Sequence, residues 1–350
     1  MTTIDKSIPV LVTGANGYVA SWLVKYLLDD GFSVRATVRD KANTKKVGHL
    51  NKLAEAHPGK LALYKADLLN DGSFDDAVNG CGTVFHTASP FIVRGLSDPQ
   101  KELIEPALKG TRNVLNAVNK AESVERVVLT SSVVAIYSDN VESLAKPNGI
   151  FTEEDWNKTS SLEHQPYNYS KTLAEQEAWK IVKAQSRWDM VVINPGLVLG
   201  PSLAQASDST SLSTILEIMD GTLRSGAPDL RFPVVDVRDV ARAHINAAIK
   251  KSANGRHILV SSSASVMDMA MWIKKAFPGK CKLPLWQAPK FLIWLIAPIF
   301  GITRDFVKRN VGYPIEFDNS RARNELSLEF MPVEQSVKDH AQQVLDDGLI

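Results

Sequence analysis

Six short apolar runs, separated by segments long enough for helices, constrain this chain more than any other feature. They are VLVTG at 10–14, FSVRATVRD at 32–40, LALYKAD at 61–67, GTVFHTAS at 82–89, RVVLTSS at 126–132 and DMVVINPG at 189–196. Runs this rich in Val, Leu and Phe are what strands buried on both faces of a parallel sheet require. Between them lie stretches such as PQKELIEPALKGTRNVLNAVNKA at 99–121, and strict β-then-α alternation predicts an α/β fold with a doubly wound parallel sheet. Each run closes on small or polar residues, as strands do when their C-terminal ends line a ligand crevice.

At 350 residues the chain exceeds the size at which one core usually stops growing. After about residue 197 the alternation loosens: PSLAQASDSTSLS at 201–213 is a polar loop, and RFPVVDVRDVARAHINAAI at 231–249 returns a strand and a helix. We expect a cofactor domain over 1–197, with the returning strand and helix at about 231–250, and a smaller substrate lobe over most of 198–350. A net charge of +1 supplies no global field for nucleic acid or an anionic membrane, so small-molecule chemistry is expected. The two cysteines, Cys81 and Cys281, lack metal-ligand spacing and suit a reducing, cytoplasmic setting, with no metal site expected. The apolar run at 289–302 contains Pro298 and is too short to span a bilayer. It is expected to pack on its own protein as an apolar wall or lid over the substrate, without a membrane role.

The first run continues as VLVTGANGYVA, with Gly14 and Gly17 three apart and Ala20 in the third small position. Val19, Trp22, Leu23, Tyr26 and Leu27 then recur at helical spacing, and Gly31 follows as a C-cap. A strand, a glycine turn and an amphipathic helix together make a dinucleotide loop, because the helix N-terminus offers unpaired N–H groups and a positive dipole end to a pyrophosphate. The second strand should reach the adenosine ribose. It ends in TVRDKANTKK, where Arg39, Lys45 and Lys46 outweigh Asp40 and favour the 2′-phosphate of NADP(H).

Residues 167–171 read YNYSK. Tyr167 and Lys171 are four apart and share one helix face. A phenol of ordinary pKa near 10 is a poor catalyst at neutrality, and a nearby ammonium stabilises its anion. A tyrosine so tuned exchanges a proton with a carbonyl or alcohol oxygen. Ser132, closing the fifth run, would hold that oxygen by a hydrogen bond, with Ser131 its near rival. His86 and His244 read as structural histidines, and Asp236 and Asp239 as caps or braces of the returning helix.

Taken together, GxxGxxA, Asp67 after the third run, TSS, YxxxK and NPGLVLGP at 194–201 resemble the extended short-chain dehydrogenase/reductase family. VRATVRD, KADL and YSKTLAEQEAWK are similar to its dihydroflavonol reductase, cinnamoyl-CoA reductase and microbial aldehyde/ketone reductase branch, over nearly the whole chain. The resemblance implies a Rossmann core, NADPH, pro-S hydride transfer and a Ser132, Tyr167, Lys171 triad in which Lys171 also holds the nicotinamide ribose. It implies cofactor contacts at Gly14, Gly17, Tyr18, Val19, Arg39, Lys46, Asp67, Leu68, Thr87, Ala88 and Ser89, with Pro195, Gly196, Leu197 and Val198 near the nicotinamide. The chain has Tyr137 where plant dihydroflavonol reductases carry an asparagine, and QPYNYSK where cinnamoyl-CoA enzymes carry NWYCYGK, so a microbial-type carbonyl reductase is the closer expectation. The expected activity is reversible NADPH-dependent reduction of an aldehyde or ketone, with a hydrophobic substrate and a monomer or homodimer. The alternatives are a nucleotide-sugar epimerase/dehydratase, a hydroxysteroid dehydrogenase, and a non-enzymatic cofactor-sensing protein.

Overall fold

Alternate residues of β1 (Val10–Val12) enter different cores, Val10 and Val12 on one face of the sheet and Leu11 on the other. The computed structural model describes residues 5–89, 97–204 and 210–350, so the expected polar loop at 201–213 lies partly outside the described residues. Strands β2 (Val34–Val38), β3 (Leu61–Lys65), β4 (Thr83–His86) and β5 (Arg126–Thr130) follow. A two-residue β6 (Ile150–Phe151) precedes β7 (Asp189–Pro195), β8 (Leu197–Leu199), β9 (Arg231–Asp236), β10 (Gly255–Leu259), β11 (Ser262–Ser265) and β12 (Glu316–Phe317). Seven of them form one sheet in the order β10-β7-β5-β4-β1-β2-β3, and every pairing in it is parallel.

Each parallel crossover needs a helix. Helices α1 (Tyr18–Asp29), α2 (Thr44–Ala56), α3 (Asp75–Val78), α4 (Glu105–Lys120) and α5 (Pro166–Lys183) supply most of them. The chain continues through α6 (Thr210–Met219), α7 (Val237–Ile249), α8 (Val266–Ala276), α9 (Lys290–Ile296), α10 (Arg304–Asn310), α11 (Ser320–Glu325) and α12 (Val333–Asp346). Leu23, Val24 and Leu27 of α1 and Val240 and Ala241 of α7 cover one face, while Val114, Leu115 and Val118 of α4 and Ala178 of α5 cover the other. α1 ends as its sequence predicts: Gly31 has φ +87°, its N–H bonds Leu28 O and the next N–H bonds Leu27 O, which closes the helix in a Schellman motif.

The returning segment divides between the two lobes. Its strand, β9, pairs with β8 and β11 in a separate three-stranded sheet, whereas its helix, α7, packs on α1. The outer strand of the main sheet comes instead from β10, against β7. A third core joins Ile215 and Ile218 of α6, Met269 and Ile273 of α8 and Val337 and Val344 of α12 around β8 and β9. Among the described residues, no helix is long and apolar enough to cross a membrane.

Candidate functional site

Strand order reverses between β1 and β4, and crevices form at such a switch point outside the strand C-termini. Thr13 laces the two strand ends together: its Oγ1 accepts from the Ala88 N–H at 3.0 Å and sits 3.0 Å from His86 Nδ1, while Thr87 Oγ1 donates to Thr13 O. Gly14 has φ +63°, and a Cβ there would come within 2.9 Å of Ala88 Cβ. Gly17 caps α1 without a side-chain hydrogen bond, and the first turn carries no acidic residue. The first amides of the helix and the positive end of its dipole therefore face the crevice uncompensated by a carboxylate, which fits a pyrophosphate. Tyr18 turns its hydroxyl to Gly200 O and Trp22 Nε1 donates to Pro201 O at 2.7 Å. These side chains brace the loop, and Val19 packs on the core.

Arg39 stands exposed just past β2, and Lys45 and Lys46 are exposed in the first turn of α2. Asn43 caps that turn by accepting from Lys46 N at 3.3 Å. Beyond β3, Ser73 Oγ donates to Asp67 O at 2.7 Å and Asn113 Nδ2 donates to Asn70 O at 2.7 Å, so the Asp67 to Asn70 turn is pinned from two sides. Leu68 packs where a Cβ on Gly110 would come within 3.1 Å of it.

The third group of residues surrounds the end of β5. α5 packs against the single 3-10 turn (Val133–Ala135) that follows Ser132. Ser132 is half-buried, with Oγ 3.4 Å from Pro195 O, while Ser131 is buried and donates its hydroxyl to Glu175. Lys171 lies with Nζ 5.9 Å from the centre of the Tyr167 ring and donates to Ser89 Oγ at 2.9 Å. Burial pushes the Tyr167 phenol above the ordinary tyrosine range and the Lys171 ammonium down to about 8. The direction for Tyr167 is opposite to that expected from its lysine neighbour, because burial strips the phenolate of water. Past Pro195 the chain leaves the main sheet at Gly196, whose N–H bonds Leu259 O at 3.0 Å, and enters β8 with Leu197 and Val198.

Beneath these residues lies a buried network absent from the sequence reading. Glu175, 1% exposed, accepts from Ser131 and from Asn194 Nδ2 at 2.9 Å, and pairs with Arg256 Nε at 2.7 Å. Asn194 Nδ2 also donates to Ser132 O at 3.1 Å. The signal was available: Glu175 lies four residues after Lys171 on the same helix face. His86 and His244 are buried, and burial pushes each down to about 4, so both are neutral near pH 7. His244 sits 2.6 Å from Thr130 Oγ1 and 2.7 Å from Val240 O. Asp236 caps α7 through Arg238 N at 2.8 Å, and Asp239 accepts from Met331 N at 2.7 Å.

The run at 289–302 departs from its expected packing. Ala297 is buried and Ile293 meets Val307 of α10 and Val311 just beyond it, but Phe291, Leu295, Ile299 and Phe300 are 58 to 80% exposed. Phe291 to Ile296 are apolar without interruption, so they surround α9 on every side. One neighbouring helix buries only one of those sides.

The family model described as NAD dependent epimerase/dehydratase matches residues 10–261. The chain is 42% identical to cinnamoyl-CoA reductase CAD2 of Medicago truncatula over 94% of its length and 93% of that protein's. It is 39% identical to the bifunctional dihydroflavonol 4-reductase/flavanone 4-reductase of Malus domestica, over 78% of each chain. Among solved structures, Gre2 of Candida albicans in complex with NADPH superposes with a TM-score of 0.79 at 30% identity, covering 97% of this chain and 99% of that one.

Proposed function

Since this chain belongs to the NAD dependent epimerase/dehydratase family, we propose that it reduces an aldehyde or ketone to an alcohol with NADPH, Tyr167 delivering the proton. The observation that carries the reading is the convergence of α5, bearing Tyr167 and Lys171, with Ser132 at the end of β5 and Ser89 at the end of β4. That convergence borders the crevice headed by Gly14 and Gly17. NADPH, when bound, supplies the hydride. The backbone at Gly14 to Val19 would hold its pyrophosphate, Arg39 and Lys46 its 2′-phosphate, and the Asp67 to Leu68 turn with Thr87, Ala88 and Ser89 would flank it. Pro195 to Val198 would border the nicotinamide side.

Ser132 is the better candidate than Ser131 for the hydroxyl that holds the substrate oxygen, because Ser131 is buried and engaged with Glu175. A raised Tyr167 pKa keeps the phenol protonated across neutral pH, the state required of an acid that completes carbonyl reduction. An apolar carbonyl compound and a cytoplasmic setting agree with the near-neutral charge and the two free thiols.

The test follows NADPH absorbance with a panel of aliphatic and aromatic aldehydes, ketones and secondary alcohols. Consumption of NADPH by at least one carbonyl compound is expected, falling about 10²- to 10⁴-fold in Tyr167→Phe with NADPH binding retained. A Tyr167→Phe variant as active as the parent would remove the tyrosine from the chemistry.

A further inference from the structure

Two residues before Tyr167 the backbone is strained. Gln165 has φ +55° and ψ +53°, a left-handed conformation that side-chain-bearing residues adopt at a cost and that persists only where the surroundings enforce it. It also precedes Pro166, whose ring further restricts the residue before it. Pro166 is the first residue of α5, so the Gln165 conformation sets the direction in which that helix leaves the turn. Tyr167 follows one residue later.

The enforcing group is Asp139, whose carboxylate is fully buried at 0% exposure. His164 Nε2 lies 2.6 Å from its Oδ2, and Gln165 Nε2 lies 3.5 Å from its Oδ1. From the small lobe, Asn310 of α10 donates to the same Oδ1 at 2.7 Å, and the Arg309 guanidinium approaches Oδ2 at 3.9 Å. Asn310 Oδ1 in turn accepts from Asn140 N at 3.0 Å. Asp139 itself lies seven residues beyond Ser132. One carboxylate thus gathers the segment after Ser132, the turn before Tyr167, and a helix of the small lobe. Asn168, one residue beyond Tyr167, adds a second tie by donating to Ser138 O at 3.2 Å.

We propose that Asp139 is a positioning residue. It holds the strained 164–166 turn, and through it Tyr167, in register with Ser132 and with α10, so that the proton donor is placed by the small lobe as well as by the main sheet. This rests on the reading of Tyr167 as the acid. Asparagine at position 139 keeps the volume but sets an amide N–H against groups that now donate to a carboxylate, so the turn would relax. Misplacement of a catalytic group by about 1 Å costs on the order of 10²-fold in rate.

The experiment measures kcat, the KM for NADPH and the melting temperature of Asp139→Asn and His164→Ala, with the most reactive carbonyl compound of the panel as the probe. His164→Ala removes the 2.6 Å tie between the turn and Asp139. Both variants should lose about tenfold or more in kcat, with the KM for NADPH within about twofold of the parent because the Gly14 to Gly17 loop is untouched. Parental kcat in either variant, once folded, overturns the proposal, and His164→Ala decides alone if Asp139→Asn does not fold. Tyr167→Phe run alongside separates the two readings. Activity surviving in that variant removes the tyrosine's role, whereas its loss beside intact kcat in the other two removes only the role of Asp139.

Discussion

Lys171 and Ser89 meet at 2.9 Å, ammonium to hydroxyl, and that contact fastens α5 to the end of β4. It puts a single side chain between the tyrosine helix and the strand end that Thr13 laces to the glycine loop. A change in the charge of Lys171 is therefore felt in both halves of the site.

Burial holds Lys171 down at about 8, below its ordinary value, so its ammonium is lost as pH rises through that point. The rate of carbonyl reduction, as kcat/KM, should accordingly fall along an alkaline limb centred near pH 8. Stability should move the other way. Between about pH 8 and the ordinary lysine pKa near 10.4 the unfolded chain binds more protons at this group than the folded one, so its unfavourable contribution to folding fades as pH rises. A pH–rate profile flat to well above 9 would show that the ammonium is not needed.

Arg39 and Lys46 should set the preference between cofactors. A hydrogen bond to a charged group contributes about 1.5–3 kcal/mol, so Arg39→Ala should narrow the NADPH to NADH ratio of kcat/KM by roughly 10- to 100-fold. Activity with NADH should stay near that of the parent. Equal parental values for the two cofactors would dismiss a 2′-phosphate contact.

Gly14 combines a positive φ with a close approach to Ala88. Gly14→Ala should cost about 1–2 kcal/mol from the left-handed backbone alone, and the crowding of β4 should also weaken NADPH binding. Calorimetric titration with NADPH and thermal melting together test this. Parental values in both would mean the loop yields without strain.

Glu175 and Arg256 form a buried pair, and removing one partner leaves the other charge stranded. Glu175→Ala should therefore lose about 3–5 kcal/mol in urea denaturation, with Glu175→Gln less damaged. A loss below about 1 kcal/mol would be no more than an exposed ion pair contributes.

The apolar strands and the glycine loop were legible because each is written in consecutive residues. The placement of Tyr167 and Lys171 on one helix was legible because four-residue spacing is local to one helix turn. β10 was not, since its stretch GRHIL carries Arg256 and His257, and their burial is tolerable only through Glu175 and Glu325, 81 and 68 residues away. Asp139 escaped for the same reason, its partners lying at 164 and 310. The exposure of Phe291 and Ile299 shows the converse limit: an apolar run records what a segment is made of and leaves open which of its sides finds a neighbour.

At Gly196 the chain passes from the main sheet into the small one, and any side chain there would drive a Cβ to within 2.3 Å of Pro233 O. Two sheets are thus riveted through one residue with no room for variation. Sequence drift is thereby channelled outward, into the helices and loops carried by β8, β9 and β11, where it leaves the rivet untouched. Two such chains can differ widely in those helices and loops while remaining superposable at this point.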